Sequence, residues 1–485
     1  MSESAASART SRQTVPVTQH RTHRLDPLAR LAPGPRTYVL AALLGIPVGA
    51  IAAVYLLVLR WLKELVWDGN QPRLAEVLPL GVAMLVTTTV GGLVVGLVRA
   101  RHDRDTPHDL DDILADVDEA AADADPVGMA DPDAGANRAE QTDERKGADA
   151  GADPAEPEGG SRGGRAGHRP IHSARWILRA VLLGIISLTA GASLGPEAPL
   201  LVLATGFGAR IAALLRLSSK EGVVISSAAA LSGLFGGPLG PAVLGIEGRP
   251  TTSAPRLLGP GIVAGLTGYE AMRLILPGDA DLGYTLPNDA TDGLATLGWG
   301  VLGGALAAAA AALLLVSIAP TRSIAGRLPA LPRAVIGGFV LGLCGLAQPL
   351  VLFSGEHEAQ DLIDGLATWT VGALLVILAL KIVATATSLA TGYFGGQIFP
   401  GAFVGMAAAA LVVAVDPSAP GNVLVAAGAG AGTTVLLRRP FASALIMLFF
   451  FPLSSAIPLI VGAGMGAAVV SLLRDRLPAP AIGGH

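Results

Sequence analysis

The chain carries runs of more than twenty apolar residues, and this feature constrains its fold more than any other. Two examples are TYVLAALLGIPVGAIAAVYLLVL at 37–59 and TLGWGVLGGALAAAAAALLLVSIA at 296–319. About 20 such residues let a helix cross the hydrocarbon core of a bilayer. The composition agrees, because only 15% of the 485 residues are charged, whereas soluble domains have about 25%. These runs predict a polytopic α-helical membrane protein.

Charge is unevenly distributed and divides the chain into segments. Residues 1–36 are polar and basic, which predicts a cytoplasmic N-terminal tail. The first membrane helices are expected within 37–100. Residues 101–172 are rich in acidic residues, Ala, Gly and Pro and contain no aromatic residue. Such a segment cannot bury enough apolar surface to fold, so we predict an acidic, disordered cytoplasmic insert. The rest of the membrane domain is predicted at 173–475, followed by a cytoplasmic tail at 476–485.

Matching segments in the two halves of the chain indicate an internal duplication. A glycine-rich helix, a break containing proline and a small-residue helix with a proline turn each occur twice, in the same order. The pairs are GGLVVGLV (91–98) with GGFVLGLCGL (337–346), GPEAP (195–199) with GGQIFPG (395–401), and AAALSGLFGGPLGPAVLGIE (228–247) with GAGTTVLLRRPFASALIMLF (430–449). Duplicated broken helices are typical of transporters built from two structural repeats.

The stretch GASLGPEAPLLVLATG at 191–206 places helix-breaking residues and Glu197 at membrane depth. Proline is tolerated in the first turn of a helix, because its missing N–H would have no partner there. The pattern therefore predicts a loop followed by a helix that begins near Ala198–Pro199. The second break predicts another helix start near Gln397–Pro400. Ionisable residues inside membrane segments are costly, and they indicate function by default.

Two converging helix starts would form an anion site from backbone amides, since helix N-termini carry unpaired N–H groups and a partial positive charge. Glu197 could occupy this site as an internal competitor and leave it when protonated or displaced. We predict Glu197 as the gate and proton acceptor. The residues expected to supply amides or line the site are Ser193, Gly195, Glu197, Ala198, Gln397, Ile398 and Phe399.

These motifs together resemble the CLC family of chloride channels and chloride/proton exchangers. GPEAP resembles the family's gating motif, and KIVATATSLATGYFGGQIFPGAFVGMAAA at 381–409 resembles its later helix pair. The likeness covers roughly 37–100 and 174–470. It implies a CLC-like fold of two inverted repeats with broken, tilted helices, assembled as a homodimer with a separate anion pathway in each subunit. In this comparison Glu197 is the gating glutamate.

The sequence also departs from the family's pattern. The serine that helps hold the family's central anion has no counterpart, since 101–119 contains neither Ser nor Gly. The family's late tyrosine is missing as well, because the last tyrosine is Tyr393. Family exchangers often carry two consecutive glutamates where this chain has Glu247 followed by Gly248. Glu247 is therefore the candidate for a proton route, with its inner partner replaced.

The predicted function is transport of chloride or a similar small anion, gated by Glu197 and either passive or weakly coupled to protons. Strict anion/proton antiport is one alternative, and a non-transporting membrane sensor or scaffold is another. The G-x-S-x-G pattern around Ser193 does not indicate an enzyme, because no strand precedes it. We expect a multi-pass protein of the cell membrane that binds no cofactor, metal or nucleic acid.

Overall fold

Helices of very different lengths form most of the described chain. The computed structural model describes residues 33–102, 113–114, 173–217, 219–247, 254–276, 283–287, 293–474 and 476–477. The helices of the first half are α1 (Pro35–Val66), α2 (Leu80–His102), α3 (Ala174–Thr189), α4 (Glu197–Leu203), α5 (Ala209–Leu214), α6 (Ser219–Leu234), α7 (Leu239–Leu244) and α8 (Ala254–Ile275). A π-helical turn at Ala204–Gly208 joins α4 to α5.

The second half has a comparable set of elements. Its helices are α9 (Gly293–Ala325), α10 (Ala330–Ala347), α11 (Glu358–Asp364), α12 (Val371–Thr391), α13 (Ile398–Val415), α14 (Gly421–Leu437), α15 (Pro440–Met447) and α16 (Ala456–Leu472).

The chain also contains shorter elements in both halves. Short 3-10 turns lie at Arg73–Glu76, Pro349–Val351 and Leu453–Ser455. An antiparallel ribbon of β1 (Trp67–Asp68) and β2 (Gln71–Pro72) follows α1. Within the described ranges, eight segments are long and apolar enough to cross a membrane.

Helix packing repeats from the first half to the second. In the first half, α8 packs on both α1 and α6. In the second half, α16 packs on both α9 and α14 in the same way. The short helix α7 contacts α6 and α8, just as α15 contacts α14 and α16. Between the halves, α2 packs on α10 and α7 packs on α15. The duplication predicted from the paired segments is therefore present in the packing.

The helix boundaries explain how the chain tolerates its two internal breaks. Helix α3 ends just before Gly191, whose φ is +85°, and α12 ends at Gly392, whose φ is +100°. Glycine adopts this left-handed conformation without the steric cost that a Cβ would bring. The residues after each glycine are non-helical until α4 and α13 begin, and all of them are buried. Irregular backbone at this depth lies inside protein, as membrane proteins require.

Part of the predicted acidic insert belongs to the core. Ile113 and Leu114 are helical, and only 1% and 4% of their surface is exposed. Both join the main cluster of buried apolar side chains, and residues 101–102 are the end of α2. At these four positions the structure has helix where disorder was expected. At Ile113 and Leu114 the side chains are also buried rather than solvated, whereas Arg101 is exposed as expected. The rest of the insert lies outside the described residues.

Glycines bring α13 and α14 into backbone contact. A Cβ on Gly405 would overlap the carbonyl oxygen of Gly428, and a Cβ on Gly428 would lie 2.6 Å from the carbonyl oxygen of Gly405. Gly401 and Gly432 form a similar pair one turn away. Close backbone approach through small residues is the usual way that membrane helices associate. These contacts hold the helix that begins at the second break.

We therefore expect Gly405→Ala to destabilise the protein by about 1–3 kcal/mol, since the added methyl group meets a backbone that cannot turn aside. Gly464→Ala is the matched control. Gly464 lies in α16 with nothing within 4 Å of an added Cβ, so this change should stabilise by about 0.5–1 kcal/mol. Thermal unfolding of the purified variants in detergent measures both. Equal melting temperatures for the two variants would contradict the argument.

Candidate anion-binding site

The two breaks are joined by a pair of reciprocal hydrogen bonds. The N–H of Gly195 donates to the carbonyl oxygen of Gly396 at 2.8 Å, and the N–H of Gly396 donates to that of Gly195 at 2.7 Å. The two residues form an isolated antiparallel bridge. This short pairing satisfies four buried backbone groups that no helix serves. It also places the start of α4 beside the start of α13.

Glu197 is the first residue of α4, and its carboxylate reaches the start of α13. The side chain is fully buried, and Oε1 accepts a hydrogen bond from the Phe399 N–H at 3.2 Å. A negative charge is stabilised at a helix N-terminus by the unpaired amides and the helix dipole. The Glu197 carboxylate thus lies where the start of α13 favours a negative charge.

The second carboxylate oxygen, Oε2, is buried and has no hydrogen-bond partner in the part of the chain that the structure describes. It lies against the Cα atoms of Gly195 and Gly396, where a Cβ on either residue would overlap it. Glycine is therefore required at both positions for Glu197 to lie here. An unpaired buried oxygen is costly, so this position of the carboxylate is not deeply stabilised.

Two serines fasten the breaks to the helices of the opposite repeat. The N–H of Ser193 donates to Ser388 Oγ on α12 at 3.2 Å, and the N–H of Phe394 donates to Ser187 Oγ on α3 at 3.0 Å. Ser193 Oγ also shares a hydrogen bond of 2.9 Å with Thr385 Oγ1. Ser193 is thus engaged by α12 on both its amide and its hydroxyl.

Ser187 and Ser388 were not predicted as site residues, although the sequence contains a signal for them. The stretches SLTAGASLGPEAP at 187–199 and SLATGYFGGQIFP at 388–400 share serine, leucine, two glycines and proline at identical spacing. In this register Glu197 corresponds to Ile398. The two breaks are therefore copies of one motif, with the carboxylate in only one of them.

The other predicted residues divide between this site and the start of α15. Gly195, Ala198, Gln397 and Ile398 are buried where the two breaks meet, with Gln397 immediately preceding α13. Glu247 lies elsewhere, at the start of α15.

Glu247 and Arg439 cap two short helices across the boundary between the repeats. The carboxylate of Glu247 accepts hydrogen bonds from the N–H groups of Phe441 at 2.9 Å and Ala442 at 2.7 Å. The guanidinium of Arg439 donates to the carbonyl oxygen of Leu244, the last residue of α7. The carboxylate thus satisfies two amides at the start of α15, and the guanidinium satisfies a carbonyl group at the end of α7.

A cavity of about 480 Å³ lies on one side of the breaks. Leu194 and Pro196, which lie three residues and one residue before Glu197, form part of its wall. The last turns of α1 and the start of α11 supply charged residues to it, including Lys63 and Glu358. The cavity thus reaches the residue before Glu197 from the side where α1 ends, while Glu197 itself is fully buried.

Comparisons with known proteins agree with this architecture. A family model described as "Voltage gated chloride channel" matches residues 158–471. The protein named "Putative ion-transport protein YfeO" of Escherichia coli strain K12 / DH10B is 28% identical over 296 residues, covering 57% of this chain and 67% of that protein. The protein of the same name from Shigella flexneri is 28% identical over 302 residues, covering 58% and 68%.

Solved structures resemble the chain over almost its whole length. A slow cyanobacterial Cl⁻/H⁺ antiporter matches with a TM-score of 0.68 at 17% identity, covering 92% of this chain and 96% of that one. A CLC-type fluoride/proton antiporter matches with a TM-score of 0.62 at 17% identity, covering 89% and 94%. These likenesses confirm the predicted fold class, an all-α polytopic membrane fold of two inverted repeats with broken helices.

The serine cross-links generate a stability prediction. Ser388→Ala and Ser187→Ala each leave a buried amide without its acceptor, so each should destabilise by about 1–3 kcal/mol. Ser227→Ala is the control, because the buried Ser227 hydroxyl donates only within its own helix, to the Val223 carbonyl oxygen at 2.8 Å. Melting temperatures in detergent give the comparison. If Ser227→Ala lowered the melting temperature as much as the other two variants, the loss would come from removing any buried hydroxyl group and not from the amide left without an acceptor.

Proposed function

This chain belongs to the voltage gated chloride channel (CLC) family, and from this premise we propose that it moves chloride or a similar small anion along a pathway gated by Glu197. Members of this family are anion channels or antiporters rather than enzymes. One observation carries the proposal: the buried Glu197 carboxylate accepts the Phe399 N–H at the first turn of α13. It lies where the amides of a helix start would hold a dissolved anion.

The gate works by competition for the same amides. While Glu197 is ionised, its negative charge is attracted to the N-terminus of α13, and an external anion is excluded. Protonation removes that charge, and the neutral carboxyl group no longer competes. Oε2, which has no partner among the described residues, can take the proton, and the neutral carboxyl group then gives up the Phe399 N–H to the anion. Acidification is therefore expected to open the pathway.

Backbone amides suit an ion that must also leave. They carry partial charges, and an anion bound to them is held less tightly than it would be by a buried lysine or arginine. Conduction requires a site that attracts the ion yet releases it to the next position. Residues 193–199 of the first break and 393–399 of the second contain no lysine or arginine. This composition supports a site built from backbone amides.

We propose passive or weakly proton-coupled transport. Glu247 is the candidate for the proton route, but both of its carboxylate oxygens accept hydrogen bonds at the start of α15. Such a group is engaged in capping and is poorly placed to carry protons. Gly248, which stands where exchangers have a second glutamate, lies outside the described residues. Strict antiport is the second candidate, because the two solved structures of similar fold are a Cl⁻/H⁺ antiporter and a fluoride/proton antiporter.

The proposal extends to assembly and location. The resemblance implies a homodimer with one pathway in each subunit. The several apolar spans make this a multi-pass membrane protein. We place it in the cell membrane with the N-terminus, the acidic insert and the C-terminus on the cytoplasmic side, because the basic residues before α1 favour that orientation.

The gate is tested by removing its charge. Glu197→Gln in proteoliposomes should give anion flux that no longer depends on pH and that at neutral pH exceeds the wild-type flux, because the amides are never occupied by a carboxylate. Glu358→Gln is the control. Glu358 is also a buried acid, but it accepts the Gly355 N–H at 3.1 Å, so this variant should keep the wild-type pH dependence. Persistent pH gating in Glu197→Gln would place the gate elsewhere.

Coupling is tested by recording external pH during anion efflux from the same vesicles. Efflux without stoichiometric proton uptake is expected for wild-type protein. A fixed ratio of anions to protons would establish antiport instead. The absence of halide or nitrate flux from folded protein would favour a sensor or scaffold.

Glu247 provides a further check. Glu247→Ala removes the acceptor of two helix-start amides, so the melting temperature should fall, corresponding to about 1 kcal/mol of stability. The ratio of protons to anions should not change. A changed ratio at unchanged stability would make Glu247 part of a proton route.

A further inference from the structure

The geometry points to a second anion-binding site on the floor of the cavity, formed by the ammonium group of Lys63 beside the ring of Phe353. It is separate from the amide site at the start of α13. It deepens the proposed function, on which it rests, by giving the anion a station between solvent and Glu197. The ligand class is a small, weakly hydrated monovalent anion, such as thiocyanate.

Lys63 differs from the other cations of the cavity in its partners. Arg60 forms an ion pair with Glu64 at 2.9 Å, and Arg273 forms one with Glu270 at 3.6 Å. For the Lys63 side chain, the described residues provide no hydrogen bond or ion pair. Its Nζ lies 4.1 Å from the centroid of the Phe353 ring, which is its recorded contact. An ammonium group that lies against an aromatic face without an ion pair can still accept an anion on its other side.

The Phe353 ring is held firmly enough to form one wall of a site. Its edge contact with Trp67 has a centroid distance of 5.1 Å and an interplanar angle of 82°. Its carbonyl oxygen accepts a hydrogen bond of 3.0 Å from Lys381 Nζ. The backbone of Phe353 has φ +54°, which is uncommon for a bulky residue and persists only where the surroundings fix it. The ring is buried, with 3% of its surface exposed.

None of the acidic residues that line the cavity forms an ion pair with Lys63 in the described part of the chain. Glu64 is paired with Arg60, and Glu358 Oε2 accepts the N–H of Gly355 at 3.1 Å. Glu356 and His357 also line the cavity, on the loop before α11. The formal charges of the residues that line the cavity are balanced, so the net charge of the cavity does not indicate where an anion binds. The position of the Lys63 ammonium group beside the Phe353 ring does indicate a place.

The position of this site links it to transport. Lys63, Phe353, Leu194 and Pro196 line the same cavity, and Pro196 is followed directly by Glu197. Apolar residues such as Leu59 and Leu234 make up much of the remaining wall. An anion that reaches Lys63 must give up part of its hydration shell, and weakly hydrated anions lose least by doing so. Sulfate and phosphate are therefore disfavoured.

Thiocyanate binding to the purified full-length protein, measured by isothermal titration calorimetry at neutral pH and low ionic strength, tests the site without requiring transport. Wild-type protein should bind thiocyanate, with its amide site closed by Glu197. Lys63→Gln should weaken this binding on the order of tenfold, as expected for loss of a charge in a low-dielectric cleft. Lys63→Arg should restore most of it.

Arg273→Gln is the matched control, because it removes a charge from the same cavity but from a cation already paired. It should change the dissociation constant less than about twofold. Equal weakening by Lys63→Gln and Arg273→Gln would overturn the site in favour of a general field effect. Unchanged binding in Lys63→Gln, or no binding in the wild type, would also overturn it. If Lys63→Gln does not fold, Lys63→Met at the same position gives the same comparison.

The Glu197→Gln background separates this inference from the gate. Opening the amide site should add a second binding event that Lys63→Gln leaves intact. If the second event is missing while the Lys63-dependent event remains, the gating proposal fails and the cavity site stands. If only the second event is seen, the cavity site fails and the gating proposal stands.

Discussion

The pairing of Gly195 with Gly396 is the contact on which the rest of the site depends. Backbone that leaves a helix inside a membrane protein must find other hydrogen-bond partners, and here each break supplies them to the other. The same pairing sets the distance between the starts of α4 and α13. Because both residues are glycines, the space beside their Cα atoms remains open, and the Glu197 carboxylate fills it.

The contacts around this pairing follow the duplication of the chain. Ser187 binds the amide of Phe394, and Ser388 binds the amide of Ser193, so each repeat completes the hydrogen bonding of the other. Neither break could be satisfied within its own half. The site is therefore a property of the two repeats together, and α13 reaches it because α14 holds that helix through backbone contact.

Much of this could be predicted from sequence, and the failures have physical reasons. Both helix starts were expected within one or two residues of where they occur, because proline and glycine act locally. The contact of Glu197 with the Phe399 amide joins residues about two hundred positions apart, which no local pattern specifies. Ile113 and Leu114 were misjudged because an average over an acidic segment conceals one apolar pair. The capping by Glu247 depends on tertiary placement of α15 and could not be inferred from GIEGRP.

The copied motif leaves the two breaks chemically unequal. Ser187 matches Ser388 and Gly195 matches Gly396, yet Glu197 matches Ile398, so the approximate twofold symmetry is broken at the first residue of each of the helices α4 and α13. One copy of the motif carries an ionisable group there, and the other carries a hydrocarbon side chain. The same backbone arrangement therefore occurs twice, but only one copy can take up or release a proton. A single substitution after an ancestral gene duplication suffices to create that inequality.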